Sequence, residues 1–476
     1  MTSNDIRSTT KEATEPILLV QRPPGFGVRH LQAIMTFFCM FLCYALRLNL
    51  SVAIVSMTDK TSRSGIPVLQ WDSAKQGIIL SSLFWAYMVP QIPIGEVARK
   101  YGSKYPLFVA TLSCSIMTIF SPYIALNFSW VVFCLNRLLQ GLAQGVFFPC
   151  INAHTAQWAP TPEKYRIFTF VFVGAQFGTM ITMFVAGYLA ASPWGWPSIF
   201  YCTGLCGVLW SVVWLFVGAN SPDSHPSISD HERKYIKSTL INNSENSSSM
   251  STPWKAVATS VPVWALMFCH LCNNWGFWTI ATMLPSYVSK VLHFDIQSNG
   301  VVSSFIYLTK CILSGVFGVI ADVILEKQLL SLNVAKKIWN TIALWGGAAA
   351  FVGLGFTSDS TTAIVMLIII IGIGAAIYTG FFSNHLDLAP NFAGLLMGIT
   401  NCFANFPAIL APIVAGFIVE DQENRDQWMI LFYISAAFFF IGNLIFIVYG
   451  TTNVQPWNNI KPTRKASYSE DNELNT

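Results

Sequence analysis

Long apolar stretches alternate with short polar gaps along this chain, and twelve of them are long enough to cross a bilayer as helices. They run at 31–56, 76–98, 105–124, 130–152, 167–190, 197–218, 262–289, 300–323, 338–356, 362–383, 393–419 and 427–449. A spanning helix needs about 20 mostly apolar residues. The other spanning solution, a closed β-barrel, shows short alternating segments, which these are not. The longest polar gap, from Asn220 to Lys255, divides the stretches six and six. The pattern predicts a polar tail at 1–30, a six-helix half at 31–218, a linker at 219–261, a second half at 262–449 and a tail at 450–476. Within the linker, a helix is expected around Asp230–Leu240, followed by a flexible Ser/Asn patch. The polar first 30 residues predict no cleavable leader.

Composition sharpens this picture. Of the 476 residues, 53% are apolar and only 11% charged, against about 25% charged in soluble chains. Soluble enzymes and disordered scaffolds are therefore excluded, and the expected partner is the lipid bilayer. A net charge of +4 is too small to point to nucleic acid. Most of the 11 Cys fall inside apolar runs, where a thiol behaves as a small buried apolar group. Cys269 and Cys272 form a lone CxxC, and no metal site is expected from it.

The basic residues orient the chain. With the N-terminus inside, 19 Lys and Arg fall on the inner side and 5 on the outer side. That bias predicts both termini in the cytoplasm. Three basic residues remain for the membrane: Arg47, Arg137 and Lys310. A charge at mid-bilayer costs at least ~2.5 kcal/mol, so each is a candidate functional group.

Each of the three lies on a polar stripe at helical spacing. Lys310 shares its face with Ser303, Tyr307 and Ser314, Arg137 with Gln140 and Gln144, and Arg47 with Tyr44 and Ser51. Guanidinium groups bind carboxylate and phosphate oxygens in bidentate fashion. No mid-membrane Asp or Glu is evident as a partner, so the missing anion is read as the substrate. The plain alternative is an interhelical hydrogen bond to a backbone carbonyl. His270, followed by Asn273 and Asn274, is one of the few groups at this depth able to titrate near neutral pH. Tyr307, Gln144 and Asn274 join the candidate anion site. Trp85, Tyr87, Phe148, Tyr307 and Tyr378 are candidate cavity walls.

Two loops repeat. The first runs from Gly95 through Arg99, Lys100 and Gly102 to Lys104, and the second from Gly318 through Asp322 to Lys327. They resemble the loop signature of the major facilitator superfamily. The first has Arg99 where Asp is expected, and the second keeps Asp322. Gly95, Arg99, Lys100 and Asp322 are expected to gate, the glycines by permitting close helix packing. Gly174 and Gly178 form a small-residue packing face.

More of the chain resembles one branch of that superfamily, the anion–cation symporters, which include sialin, the vesicular glutamate transporters and sodium-phosphate cotransporter-like proteins. The resemblance rests on Arg47–Val55, Gln91–Pro93, Arg137–Leu142, Trp158–Pro160 with Glu163 and Arg166, Gly174–Thr179, Trp275–Pro285, Asn384–Pro390, Gly398–Asn401 and Gln455–Trp457. It implies an all-α membrane protein of twelve transmembrane helices in two pseudo-symmetric halves. It implies transport of organic or inorganic anions by alternating access, coupled to Na⁺, H⁺ or membrane potential. It places Arg47 and Arg137 in the anion site and His270 in ion coupling. His385 and Asp387 belong to a loop signature and are expected to gate. Two departures stand out. Gln144 occupies a position where the branch commonly has Glu, and Asn152 one where it often has His. An amide cannot carry a proton, so Gln144 weighs against coupling there.

The reading is thus a multi-pass secondary transporter of small anions, without a cofactor other than a co-transported Na⁺ or H⁺, and monomeric. It is not an enzyme: no nucleophile elbow or phosphate loop is present. A receptor-like or channel-like protein on the same scaffold is the alternative. The anion, the coupling ion and the choice of plasma or lysosomal/vesicular membrane stay open.

Overall fold

The computed structural model describes residues 22–59, 66–160, 163–247, 253–357, 359–389 and 392–459. Every regular element among them is helical. α1 (Val28–Met57) fills the first apolar stretch, while the second is split into α2 (Ser73–Tyr87) and α3 (Gln91–Tyr101). α4 (Lys104–Asn127) follows, and the fourth stretch is again divided, into α5 (Trp130–Gln144) and α6 (Phe147–Trp158). α7 (Lys164–Ala191) and α8 (Pro197–Val217) complete the first group. The linker holds α9 (Asp230–Ser247) and α10 (Trp254–Thr259), so its helix runs further than expected and reaches the Ser/Asn patch.

The second group comprises α11 (Val261–Lys290), α12 (Ile296–Glu326), α13 (Leu332–Phe356) and α14 (Ser360–Ile373). The chain then narrows to a 3-10 turn at Gly374–Tyr378 before the short α15 (Asn384–Leu388). α16 (Ala393–Ala404), α17 (Phe406–Ile418) and α18 (Arg425–Tyr449) close it. Four stretches expected as single helices are therefore interrupted, and local chemistry explains three of the breaks. Pro90 and Pro407 have no N–H to continue the ladder. Gly145 packs on the Tyr87 carbonyl and Pro90, where a side chain would not fit.

Among the described residues, ten helical segments are long and apolar enough to cross a membrane. α11 is not among them, because His270, Asn273 and Asn274 dilute its apolar length, nor is the broken α2–α3 pair. The outward faces fit lipid. On α8, Tyr201, Leu205, Leu209, Val212 and Phe216 are exposed at steps of one helical turn, while Gly204, Gly207, Trp210, Ser211 and Trp214 are buried. The apolar stripe thus faces outward, the reverse of a soluble helix.

Polar caps start several helices. Asp72 accepts from the Lys75 N–H at α2, Asp295 from Gln297 and Ser298 at α12, and Asp359 from Thr362 at α14. These caps satisfy amides that no intrahelical carbonyl can reach. They also hold the Asp72 and Asp295 carboxyls below their usual range.

α1 packs on α7 and α8, and α4 on α5 and α8; α11 packs on α16, α17 and α18, and α13 on α14 and α18. The groups are joined chiefly by α7 with α12 and α2 with α17, and also by α1 with α11. The α7–α12 and α2–α17 pairings close backbone to backbone at the end where α1 and α7 finish. There Gly187 meets Gly300, and Gly77 meets Gly416 and the Pro412 carbonyl. Gln422 donates to Gln76 at 3.0 Å at the same end. Gly174 and Gly178 pack on the Phe37 and Phe41 carbonyls of α1, as a small-residue face should. Gly95 and Gly318 do not behave this way. Nothing described lies within 4 Å of a Cβ built on either, so neither supports the close packing expected of it.

Candidate functional site

Arg47 lies in mid-α1 and is buried. Its Nε donates to Gln144 Oε1 at 2.8 Å, and its Nη2 approaches Cys43 Sγ at 3.5 Å. Four rings surround the guanidinium: Tyr87 at 4.7 Å, Tyr44 at 5.1 Å, and Phe84 and Trp278 at 5.8 Å each. These rings come from α1, α2 and α11. Their faces stabilise a cation without neutralising it. Among the described residues, no carboxylate forms an ion pair with Arg47, Arg137 or Lys310.

Arg137 is placed differently from the expected anion ligand. Its Nη2 donates to the backbone carbonyl of Arg47 at 3.2 Å and its Nη1 to Gln140 Oε1 at 2.7 Å. Its Nε is buried without a partner. Gln140 and Asn136 both donate to Ser121 Oγ on α4. Gln144 Nε2 turns to Cys114. The polar stripe of α5 therefore braces α1 and α4, with Gln144 holding Arg47 by its side chain and Arg137 holding it by its backbone.

Lys310 is also buried. Its Nζ lies 4.6 Å from the Phe277 ring centre and 5.9 Å from that of Tyr378, and it makes no hydrogen bond among the described residues. One turn earlier, Tyr307 is buried with no partner for its hydroxyl. The two cations are linked through α11: Trp278 lies under Arg47, Phe277 under Lys310, and the two rings meet edge-on at 5.1 Å. Gln176 of α7 donates to the Tyr378 hydroxyl at 2.9 Å, tying the two helix groups together beside Lys310. Asn274 is not brought in; its amide donates to the Ala404 carbonyl of α16 at 2.7 Å. Of the candidate wall rings, Tyr87, Tyr307 and Tyr378 lie at the site. Trp85 is 42% exposed on the outer surface, and Phe148 packs on Phe172.

A second polar cluster surrounds the expected coupling histidine. His270 Nδ1 is 3.3 Å from Thr400 Oγ1, and His385 Nε2 is 2.8 Å from the same oxygen. His385 Nδ1 is 2.9 Å from the Phe382 carbonyl. Asp387 pairs with Lys336 at 2.9 Å, and Lys336 also donates to Ser383. The side chains of Arg99, Lys100 and Asp322 lie outside the described residues.

A third cluster was not anticipated. Arg29, at the start of α1, is sealed between Glu163 (3.1 Å) and Glu232 of the linker helix (2.8 Å), and Arg22 adds to Glu163 at 2.7 Å. Glu232 also accepts from the Val28 and Arg29 amides, capping α1 from another element. The sequence shows Arg29 only as one more basic residue on the inner side. Nothing in it signals that the linker folds back.

Comparison with known proteins agrees with this architecture. Residues 36–412 match the profile described as Major Facilitator Superfamily. The chain is 37% identical over 468 residues to a Drosophila melanogaster protein named "Putative inorganic phosphate cotransporter", covering 93% of this chain and 88% of that one. It is 35% identical to human sialin, covering 91% and 92% of the two chains. It is 32% identical to bovine vesicular glutamate transporter 1, covering 96% and 82%. These relatives are transporters, not enzymes. Among solved structures, a bacterial homologue of the human lysosomal transporter Spinster superposes with a TM-score of 0.71 at 12% identity, over 91% of this chain and all of that one. The xylose transporter XylE of E. coli gives 0.68 at 13% identity, over 89% and 96%. At such identities the structures attest the fold alone.

Proposed function

This chain belongs to the major facilitator superfamily, and from that premise we propose that it carries organic or inorganic anions, carboxylates or phosphate, across a membrane by alternating access. Twelve crossings in two six-helix halves, 31–218 and 262–449, with both termini cytoplasmic, are the topology that the basic residues favour. The linker and Arg29 then lie on the cytoplasmic side, and the glycine contacts Gly187–Gly300 and Gly77–Gly416 close the outer side. The membrane is the plasma membrane or a lysosomal or vesicular one. The movement is driven by Na⁺, H⁺ or membrane potential.

One observation carries the reading. Arg47 is a buried cation caged by four rings and hydrogen-bonded to an amide, with no carboxylate to neutralise it. Leaving such a charge unpaired is costly, so the arrangement persists best if an anion completes it. Lys310 supplies a second unpaired cation from the other half, with the Tyr307 hydroxyl a turn away. Arg137 serves the site through Arg47. Asp387, paired with Lys336, and the loops carrying Gly95, Arg99, Lys100 and Asp322 gate the cytoplasmic side.

The test is uptake into proteoliposomes of labelled phosphate, glutamate, sialate and urate, with a Na⁺ gradient, a pH gradient or a voltage imposed separately. Saturable uptake of at least one anion, lost in Arg47→Ala, is expected. Binding without accumulation under any gradient would favour the receptor-like alternative and overturn transport.

A further inference from the structure

Thr400 is fully buried and contacts two histidines from different elements, His270 of α11 and His385 of α15, which are themselves buried. The hydrogen-bond roles follow from the acceptor at the far end. The Phe382 carbonyl can only accept, so His385 Nδ1 carries a proton and donates to it. In the neutral ring Nε2 is then an acceptor, and at 2.8 Å it takes the Thr400 hydroxyl proton in preference to the Met397 carbonyl at 3.3 Å. The Thr400 oxygen is left to accept from His270 Nδ1–H at 3.3 Å. The three groups form one directed chain from His270 to Thr400 to His385. His270 Nε2, at the open end of the chain, makes no hydrogen bond among the described residues.

We propose that Thr400 joins His270 and His385 into a proton relay that couples anion movement to H⁺, a reading that rests on the transport function above. A proton arriving at His270 Nε2 makes that ring an imidazolium. Its Nδ1 proton passes to the Thr400 oxygen as the Thr400 hydroxyl proton passes to His385 Nε2. His270 ends neutral and protonated on Nε2, the hydroxyl is intact, and His385 is the cation. His385 then loses a proton to water when the cytoplasmic side opens. The charged groups beside it are Lys336 of α13 and Asp387 of α15, which pair with each other. Cys269 and Cys272 of α11 turn away, to Asn340 and Gly442. Cys402 of α16, two residues past Thr400, lies on another face of that helix. The rings of Phe381 and Phe382 pack on His270 and keep water from short-circuiting the chain. This location also supplies what Gln144 cannot, a titratable carrier, in the opposite half of the molecule.

Two assays in the same proteoliposomes test it, using whichever of labelled phosphate, glutamate, sialate and urate gives the strongest wild-type counterflow. Counterflow at equal pH reads anion exchange alone. Accumulation under an imposed pH gradient, acid on the side of the label, reads coupling. Wild type should show both. Thr400→Val should retain counterflow and lose accumulation at least tenfold, and Thr400→Ser should restore it. His385→Gln, which keeps a polar side chain without a titratable ring, should show the same loss should Thr400→Val fail to reach the membrane. Wild-type counterflow without pH-driven accumulation, or undiminished accumulation in Thr400→Val and His385→Gln, overturns the relay and leaves anion transport standing. Absence of both activities in wild type overturns the transport reading, and the relay with it.

Discussion

Arg137 donates from Nη2 to the backbone carbonyl of Arg47, 3.2 Å away on a neighbouring helix. A buried guanidinium on one helix thus fixes the backbone that carries a second one. The two arginines are unequal partners: Arg47 presents charge to the interior, and Arg137 sets where that charge stands.

That inequality is measurable. A hydrogen bond from a charged donor contributes about 1.5–3 kcal/mol, so Arg137→Lys should lower the kcat/KM of uptake by about 10–100-fold while leaving a saturable signal. Arg47→Lys, with a point charge in place of the planar fork, should abolish it. Concentration series of labelled-anion uptake separate the two. Equal losses would place both arginines on the anion.

Gln144→Glu sets a carboxylate where an amide now accepts from Arg47 Nε at 2.8 Å. The new charge neutralises Arg47 and repels the substrate. Anion affinity should fall at pH 7.5 and recover as the pH is lowered, because protonating Glu frees the guanidinium. Competition curves at several pH values, compared with wild type at the same pH, check both the loss and the direction of recovery.

That Arg47 and Lys310 are buried cations was legible in the sequence, because a charge in an apolar run is conspicuous and its polar neighbours recur at helical spacing. The role of Arg137 was not, because its acceptor is a backbone carbonyl ninety residues away, and every residue has one. Thr400 gave no signal for a similar reason: a lone hydroxyl becomes meaningful only when folding brings two histidines to it. Trp278 and Phe277 looked like any aromatic pair until α1 and α12 placed a cation over each. Asn274 and Trp85 show the converse, since a polar or aromatic residue near the site in sequence can turn to a backbone carbonyl or to the lipid face. The helix breaks at Gly145 and Pro407 gave no signal in the pattern, because hydropathy is continuous across them.

The linker helix should be a stability element. Removing one partner of a buried ion pair destabilises by about 3–5 kcal/mol, and Glu232 also caps two amides of α1. Glu232→Ala should lower the thermal midpoint of the purified protein by several degrees, whereas Lys237→Ala, in an exposed pair with Asp223, should leave it nearly unchanged.

Acid should weaken the fold through His385. Burial pushes its imidazole down to about 4, against about 6.5 in an unfolded chain. Between those values the unfolded chain binds a proton that the folded chain at rest, outside the transport cycle, does not hold. Its contribution is therefore complete above about pH 6.5 and is lost as the pH falls towards 4. Thermal midpoints measured from pH 7.5 to 4.5 should decline, and His385→Gln should flatten part of that decline.

On the proposed topology, the outer side closes through backbone contact between Gly187 and Gly300. Gly300→Leu should hold the two helix groups apart there. Outer-side accessibility of a cysteine placed at Tyr307 to a membrane-impermeant thiol reagent should rise in Gly300→Leu and stay low without that substitution.

Counterflow of a labelled anion at equal pH, with no gradient imposed, tests the central claim most directly, because it asks only whether Arg47 binds an anion and carries it across. Wild type should exchange at least one of phosphate, glutamate, sialate and urate with saturation, and Arg47→Gln, folded and reconstituted to the same level, should fall to the rate of empty vesicles. Exchange in Arg47→Gln equal to wild type would contradict the account.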